Sequence, residues 1–335
     1  MRSVFIGSTK RGYLTLKALL RHCYVVGVVS LEQHPHEIEN YENEIEKLSS
    51  SHAVPHIRTK SMKDQDYSLL FKKKWKPDVI FIVGCRILIP PSVYEVPLRG
   101  TLAVHDSLLP EYRGFAPLNW AIINGEKKTG VTLFYLSERT DEGDILLQKV
   151  VPISESESAP ELYEKICKTT VSIVIEGYDL IISGKASPIS QKQKRGSYTC
   201  SRNPQDGLID WAKSTKDIYN LIRALKKPYP GAFTYYLEKK LFICRAKTIK
   251  SPNIYTGRIP GRVISINKDK TIDVLTGDGI IRLTSVQYEN CEPVPPSKII
   301  KSVRSRLGIN PQDLIQRIDK LEREIEELKK IKINR

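Results

Sequence analysis

Residues 1–30 read MRSVFIGSTKRGYLTLKALLRHCYVVGVVS, and this stretch decides the fold class. Ser3, Val4, Phe5 and Ile6 form a short apolar run that enters the turn Gly7-Ser8. Across residues 12–21, Leu14, Leu16, Ala18, Leu19 and Leu20 fall at spacings that one helix face can bury. YVVGVVS at 24–30 is a β-branched run suited to an inner parallel strand, covered on both faces. A second such run, DVIFIVG at 78–84, follows the basic helical stretch 71–76. Strand, helix and strand alternating in this way predict a doubly wound α/β domain.

The pattern continues outward. Residues 101–104 supply a further strand that leads straight into His105, and 115–124 read as a helix. Strands are expected at 131–136 and 145–153, and a long amphipathic helix at 159–183 closes the domain. From Gly184 the string GKASPISQKQKRGSYTCSRNPQDG is polar, basic and short of large aliphatic residues, which suits an exposed linker over 184–207. A helix at 214–225 ends at Pro228-Tyr229-Pro230-Gly231. β-type runs then follow at 232–237, 240–246, 262–266, 271–275 and 280–286, with turns at Lys268-Asp269-Lys270 and Gly277-Asp278-Gly279. They predict a small all-β barrel or sandwich. At the C-terminus Leu314, Ile318, Leu321, Ile325 and Leu328 step by 4, 3, 4 and 3, an apolar heptad seam of about two heptads. Such a seam fits either a second subunit, giving a homodimer through the C-terminal region, or the chain's own surface. The expected domains are therefore 1–183, a linker at 184–207, 208–308, and a C-terminal helix at 309–335.

The 335 residues are 40% hydrophobic and 27% charged, which is ordinary globular usage and argues against disorder or a membrane bundle. No apolar run reaches the ~18 residues of a membrane span, and MRSVFIGS reads as a strand and turn rather than a signal peptide. Six scattered cysteines without a CxxC pair suggest reduced thiols, a cytoplasmic location and no zinc site. The net charge of +15 is uneven: residues 1–150 hold 20 Lys and Arg against 17 Asp and Glu, and 151–335 hold 33 against 21. An anionic partner would explain this, but a lysine-rich solvated surface explains it as simply.

Residues 100–149, GTLAVHDSLLPEYRGFAPLNWAIINGEKKTGVTLFYLSERTDEGDILLQK, carry the chemistry. His105 follows a strand directly, where a side chain can project into the crevice at the carboxyl end of an open α/β sheet. Asp141 lies between two expected strands in Thr140-Asp141-Glu142-Gly143-Asp144. Where both loops open at one sheet edge, an imidazole and a carboxylate meet in one cleft. Such a pair suits proton transfer and stabilisation of developing charge, although a structural His–Asp pair looks the same in sequence. Ser107 invites a hydrolase reading, but the GxSxG elbow is absent.

HDSLLPEYRG at 105–114, Ala116-Pro117, Gly125-Glu126, Thr129-Gly130-Val131-Thr132 and Asp141-Glu142-Gly143-Asp144 resemble the 10-formyltetrahydrofolate-dependent formyltransferase family. The resemblance includes VGCRILIP at 83–90 and continues more weakly through IDW at 209–211 and PYPGAF at 228–233. It implies an α/β fold with a Rossmann-like catalytic domain, a small β-rich, OB-like C-terminal domain and a C-terminal helix. It also implies direct acyl transfer from 10-formyltetrahydrofolate to a neutral amine, with neither a metal nor a covalent enzyme intermediate. His105 would stabilise the oxyanion, and Asp141 would orient or charge His105 and help accept the amine's proton. The resemblance assigns the folate walls to Arg86, Ile87, Leu88 and Ile89 and to Arg139, Thr140, Asp141 and Gly143.

One position departs from the family. Its usual Asn-x-His places an amide donor where this chain has Ala103, and losing one oxyanion donor costs roughly 100–1,000-fold in rate. The readings are a weakened enzyme, a subgroup in which Asp106 or a backbone amide substitutes, or a protein that binds without efficient turnover. The intact His105 and Asp141 favour the second.

For the acceptor, tRNA-directed members carry a basic loop after the second strand. Here that segment, LEQHPHEIENYENEIE at 31–46, has six glutamates and no Lys or Arg, which repels a phosphate backbone. RGFAPLNWAIINGE and IDW with PYPGAF look closer to sugar-modifying members. The expected acceptor is therefore a nucleotide-linked amino sugar, with nucleic acid disfavoured. Ser107 and Leu109, Arg113 as an anion contact and Tyr229 as an aromatic contact are the acceptor-side candidates, against a purely structural role for each. The alternatives are methionyl-tRNA formyl transfer, or an RNA-associated binding homologue using Lys192, Lys194, Arg195 and Arg202.

Overall fold

The structure is a computed structural model that describes residues 1–32, 41–63, 66–191, 195–250, 254–309 and 311–333. Residues 33–40 of the acidic segment, and Lys192 and Lys194, lie outside the described residues. Strand β1 (Arg2–Ile6) has its last four residues buried, and Thr9 then caps α1 (Lys10–His22) by accepting from the Gly12 N–H at 3.3 Å. There follow β2 (Tyr24–Leu31), α2 (Glu42–Ser51) and β3 (His56–Thr59), then α3 (Tyr67–Leu70), which widens into a π-type turn at Phe71–Trp75. Next come β4 (Val79–Ile82), α4 (Pro91–Tyr94), β5 (Thr101–His105), β6 (Arg113–Gly114) and α5 (Pro117–Ile123). The set closes with β7 (Lys128–Tyr135), β8 (Ile145–Pro152), α6 (Ala159–Ile182) and β9 (Tyr198–Thr199).

Seven of these strands form one sheet in the order β3-β2-β1-β4-β5-β7-β8. The first five run parallel, and β7 and β8 are antiparallel additions. Parallel strands covered on both faces must be apolar throughout. Val4, Phe5, Ile6, Val28, Val29, Ile80 and Phe81 are accordingly all buried. The strand order reverses between β1 and β4, the place where open α/β sheets form a ligand crevice. Gly7 is needed there, because a Cβ at that position would run into the Val83 carbonyl oxygen. The α5 helix starts two residues later than the sequence suggests, since Ala116 takes a left-handed φ of 48° and Pro117 occupies the first turn. A Ser158/Glu161 capping box starts α6.

The polar stretch after Gly184 differs from a free linker. Ile189 bridges to Ile145, Gln191 is buried, and β9 pairs in parallel with β6. The chain divides into two compact units at 202/203. The second unit contains α7 (Thr215–Ala224), β10 (Phe233–Tyr236), β11 (Lys239–Thr248), β12 (Val263–Ile266), β13 (Ile272–Leu275), β14 (Ile280–Tyr288) and α8 (Pro311–Ile333). Its antiparallel sheet has the order β10-β11-β14-β13-β12, and irregularities in β11 around Arg245 help it curl. Ile218 and Ile222 of α7 fill its core together with Leu241, Ile281 and Leu283. Among the described residues, no helix is long and apolar enough to cross a membrane.

Candidate active site

His105 ends β5 and is 8% exposed. Its Nε2 lies 2.7 Å from the Tyr112 carbonyl oxygen. A carbonyl only accepts, so the proton resides on Nε2. Burial holds the imidazole below its ordinary pKa; the charge of Arg11 adds to this, while Asp141 and the Tyr112 bond oppose it. The ring is therefore neutral near pH 7, with a bare lone pair on Nδ1. Asp141 Oδ2 stands 3.6 Å from that nitrogen. Two acceptors thus face one another beyond hydrogen-bond reach, and a proton donor placed between them satisfies both.

Asp141 reaches this position by an indirect route. In the sheet Leu102 lies opposite Tyr135 and His105 opposite Thr132. The loop after β7 therefore leaves the sheet at the start of β5, the end away from His105, and not at a shared edge. It folds back along the sheet face, and Asp141 takes a φ of 57°. The carboxylate Oδ2 accepts the Gly114 N–H at 2.8 Å. The buried Gln191 clamps the loop by donating from Nε2 to the Asp141 carbonyl at 3.1 Å and the Gly143 carbonyl at 2.6 Å. A Cβ on Gly143 would collide with the Tyr135 carbonyl oxygen, so the return is tight.

Three of the acceptor-side candidates, Ser107, Leu109 and Arg113, are buried. Arg113 is 5% exposed and directs Nη2 to Gln191 Oε1 at 2.8 Å, with Glu142 3.7 Å from Nη1 and the Tyr198 ring beside it. It braces the Asp141 loop and is not presented to an anion. Ser107 is buried and donates Oγ to the Glu111 carbonyl at 2.6 Å, closing its own turn. Leu109 is a core residue. Tyr229 is half-buried in the turn after α7.

Ala103 lies on the same face of β5 as His105, in register with Ile82 and Phe134 and among Ile89, Leu109 and Ile145. A methyl group there donates nothing. Asp106 does not replace the missing donor either, because its carboxylate forms a largely buried ion pair with Arg11 and can only accept.

Two loops are expected to wall the folate. The loop after β4 begins at Gly84, with φ 68°, and presents Arg86 and Leu88 outward while Ile87 and Ile89 turn inward. Among the described residues, the backbone N–H groups of Ile87, Leu88 and Ile89 donate to no protein atom. They remain available to a ligand that carries hydrogen-bond acceptors. Opposite in sequence, Arg139 and Thr140 are exposed, while Gly143 is buried. Sequence reasoning missed Arg11, Tyr112 and Gln191. Gln191 lies 50 residues from Asp141 inside a polar stretch, and no spacing signals it.

Residues 1–177 match the family described as formyl transferase, and 202–304 match its C-terminal domain. The chain belongs to the formyl transferase family. A methionyl-tRNA formyltransferase of Azobacteroides pseudotrichonymphae is 35% identical over 311 residues, covering 90% of this chain and 95% of that protein. The bifunctional polymyxin resistance protein ArnA of Wigglesworthia glossinidia brevipalpis is 34% identical over 298 residues. That match covers 87% of this chain, which spans only 43% of ArnA. The fold is shared with the Helicobacter canadensis N-formyltransferase, at a TM-score of 0.64 and 18% identity over 84% of this chain and 98% of that one.

Two outcomes follow for the brace and the ion pair. Gln191→Ala leaves two loop carbonyls and Arg113 without their partner, so kcat should fall roughly 10–100-fold at a little-changed donor KM. Steady-state kinetics checks this, and an unchanged kcat removes Gln191 from the positioning of Asp141. Arg11→Met strands the Asp106 carboxylate and should cost about 3 kcal/mol of stability, whereas Arg11→Met with Asp106→Leu should recover most of it. Denaturant melts of the two variants measure the difference.

Proposed function

We propose that this formyl transferase moves the formyl group of 10-formyltetrahydrofolate onto the primary amine of a nucleotide-linked amino sugar. The observation that carries the acceptor is the charge of segment 31–46. Beyond its six glutamates, two nearby cations, Arg58 and Lys60, are paired to its carboxylates. Glu42 and Glu46 lie 3.2 and 2.7 Å from Arg58, and Glu32 lies 3.4 Å from Lys60. A tRNA acceptor stem approaching this edge would meet carboxylates instead of the cations that release its counterions. The same fold accommodates folinic acid and dTDP-3-aminofucose in the Helicobacter canadensis enzyme. A second reading, methionyl-tRNA as acceptor, is supported by relatives of that name that match nearly end to end.

The folate supplies an activated formyl group on a weakly basic nitrogen. His105 Nδ1, bare because Nε2 is held by Tyr112, takes the proton that the attacking amine must lose as its bond to the formyl carbon forms. Asp141 stabilises the imidazolium so produced and orients the amine N–H before attack. Once protonated, Nδ1 becomes a charged donor for the formyl oxygen as negative charge gathers there. The same proton can then serve the departing folate nitrogen, so the histidine ends as it began.

Two measurements bear on this. Purified protein with 10-formyltetrahydrofolate should release tetrahydrofolate only when an amino-sugar nucleotide is added, with the formylated sugar identified by mass. Formylation of methionyl-tRNA alone would replace the sugar reading. Tight, salt-steep tRNA binding without any turnover would favour the RNA-binding homologue. Separately, a base whose pKa is lowered stays unprotonated to lower pH. The acid limb of kcat/KM should therefore lie below the ~6.5 of a free histidine, and His105→Ala should lose roughly 100–10,000-fold. A limb at or above that pH would mean that His105 is not buried and neutral in the working enzyme.

A further inference from the structure

Helix α8 spans 23 residues, about 34 Å at 1.5 Å per residue. Its apolar side chains are left in water: Leu314, Ile315, Ile318, Leu321 and Ile325 are 40–54% exposed. A helix of this length gains most of its stability from burying such a face. The face has a specific chemistry. With Ile318 and Ile325 at a and Leu314 and Leu321 at d, it has β-branched residues at a and leucine at d, the combination that favours two parallel strands.

The flanking charges agree with that pairing. In a parallel, in-register pair each g residue faces the e residue five positions later on the other helix. Arg317 at g would face Glu322, and Glu324 at g would face Lys329, so both contacts join opposite charges and each occurs twice. Within one helix Glu324 also lies 3.8 Å from Lys320, an i,i+4 contact at the edge of charge range that a facing Lys329 can share. Ile315 at e widens the apolar strip over the first turn.

From this seam and its flanking charges we infer that α8 is a dimerisation helix whose partner is the α8 of a second copy of this chain, in a parallel two-stranded coiled coil. The short seam makes the dimer concentration-dependent. The α8 helices would hold two catalytic units together by their C-terminal ends.

Sedimentation equilibrium of the full chain across a micromolar concentration series tests it. The expected result is a monomer–dimer equilibrium that Leu321→Asp abolishes. Arg317→Glu should lower the association constant by about tenfold or more, because two attractive contacts become repulsive, and Arg317→Glu with Glu322→Arg should restore it. An Ile318→Cys chain should form a disulfide-linked dimer under mild oxidation at a rate well above that of the native chain, since a parallel in-register pair puts the two thiols side by side. A chain that remains monomeric throughout the series overturns the inference, as does a dimer that survives Leu321→Asp. Dimers with no Ile318→Cys cross-link overturn the parallel arrangement. Circular dichroism of each variant, unchanged outside the α8 contribution, separates lost association from lost folding.

Discussion

The hydrogen bond from His105 Nε2 to the Tyr112 carbonyl sets the terms for the rest of the site. It commits the ring's proton to the side away from Asp141 and leaves Nδ1 as an acceptor facing a carboxylate at 3.6 Å. Two acceptors at this distance repel one another, and an amine N–H lying between them would satisfy both. The turn that carries Tyr112 is fixed in its turn by Ser107 Oγ on the Glu111 carbonyl and by Ser197 Oγ on the Tyr112 N–H at 2.9 Å. The buried serine that suggested a nucleophile is therefore part of what holds the tautomer.

The direction of the His105 shift shows which electrostatic effect prevails. A carboxylate at close range raises an imidazole pKa, and burial lowers it. Here burial is the largest influence and the net shift is downward. The Asp141 oxygen is beyond hydrogen-bond distance, and Arg11 contributes an opposing positive charge. Arg11 is itself paired to Asp106, so neither charge stands alone in the interior. Buried pairs of this kind add little net stability, but removing one member is costly. The pair thus fixes the loop after β5 to the start of α1 without adding net charge beside the imidazole.

Much of the fold was legible because the inner strands obey one simple constraint. A parallel strand covered on both faces must be apolar throughout, and YVVGVVS and DVIFIVG have no other reading. Strands β3 and helix α2 were not legible, since both lie toward a sheet edge where polar residues are tolerated. His105 and Asp141 were visible as a pair, but their approach was not. The antiparallel β7 sends its loop to the far end of β5, and a backbone φ of 57° at a non-glycine residue brings Asp141 back. Arg113 shows the limit of reading by residue type. A guanidinium in a conspicuous motif suggests an anion site, yet its planar fork here serves a buried amide and a loop carboxylate.

With Ala103 in place of a donor, the proposed proton transfer carries more of the chemistry. With a methyl group at that position on β5 and the Gly114 N–H already given to Asp141, neither can meet charge developing on the formyl oxygen. Asp106 cannot meet it either, being an acceptor held by Arg11. In the proposed transfer, the proton that His105 would take from the amine supplies a donor there. A neutral, buried imidazole is poorly suited to stabilising an oxyanion before reaction and well suited after it has become an imidazolium beside Asp141. In that proposal, proton removal and oxyanion stabilisation are consecutive acts of one ring. Their order would follow from burial, which keeps that ring uncharged before the amine arrives.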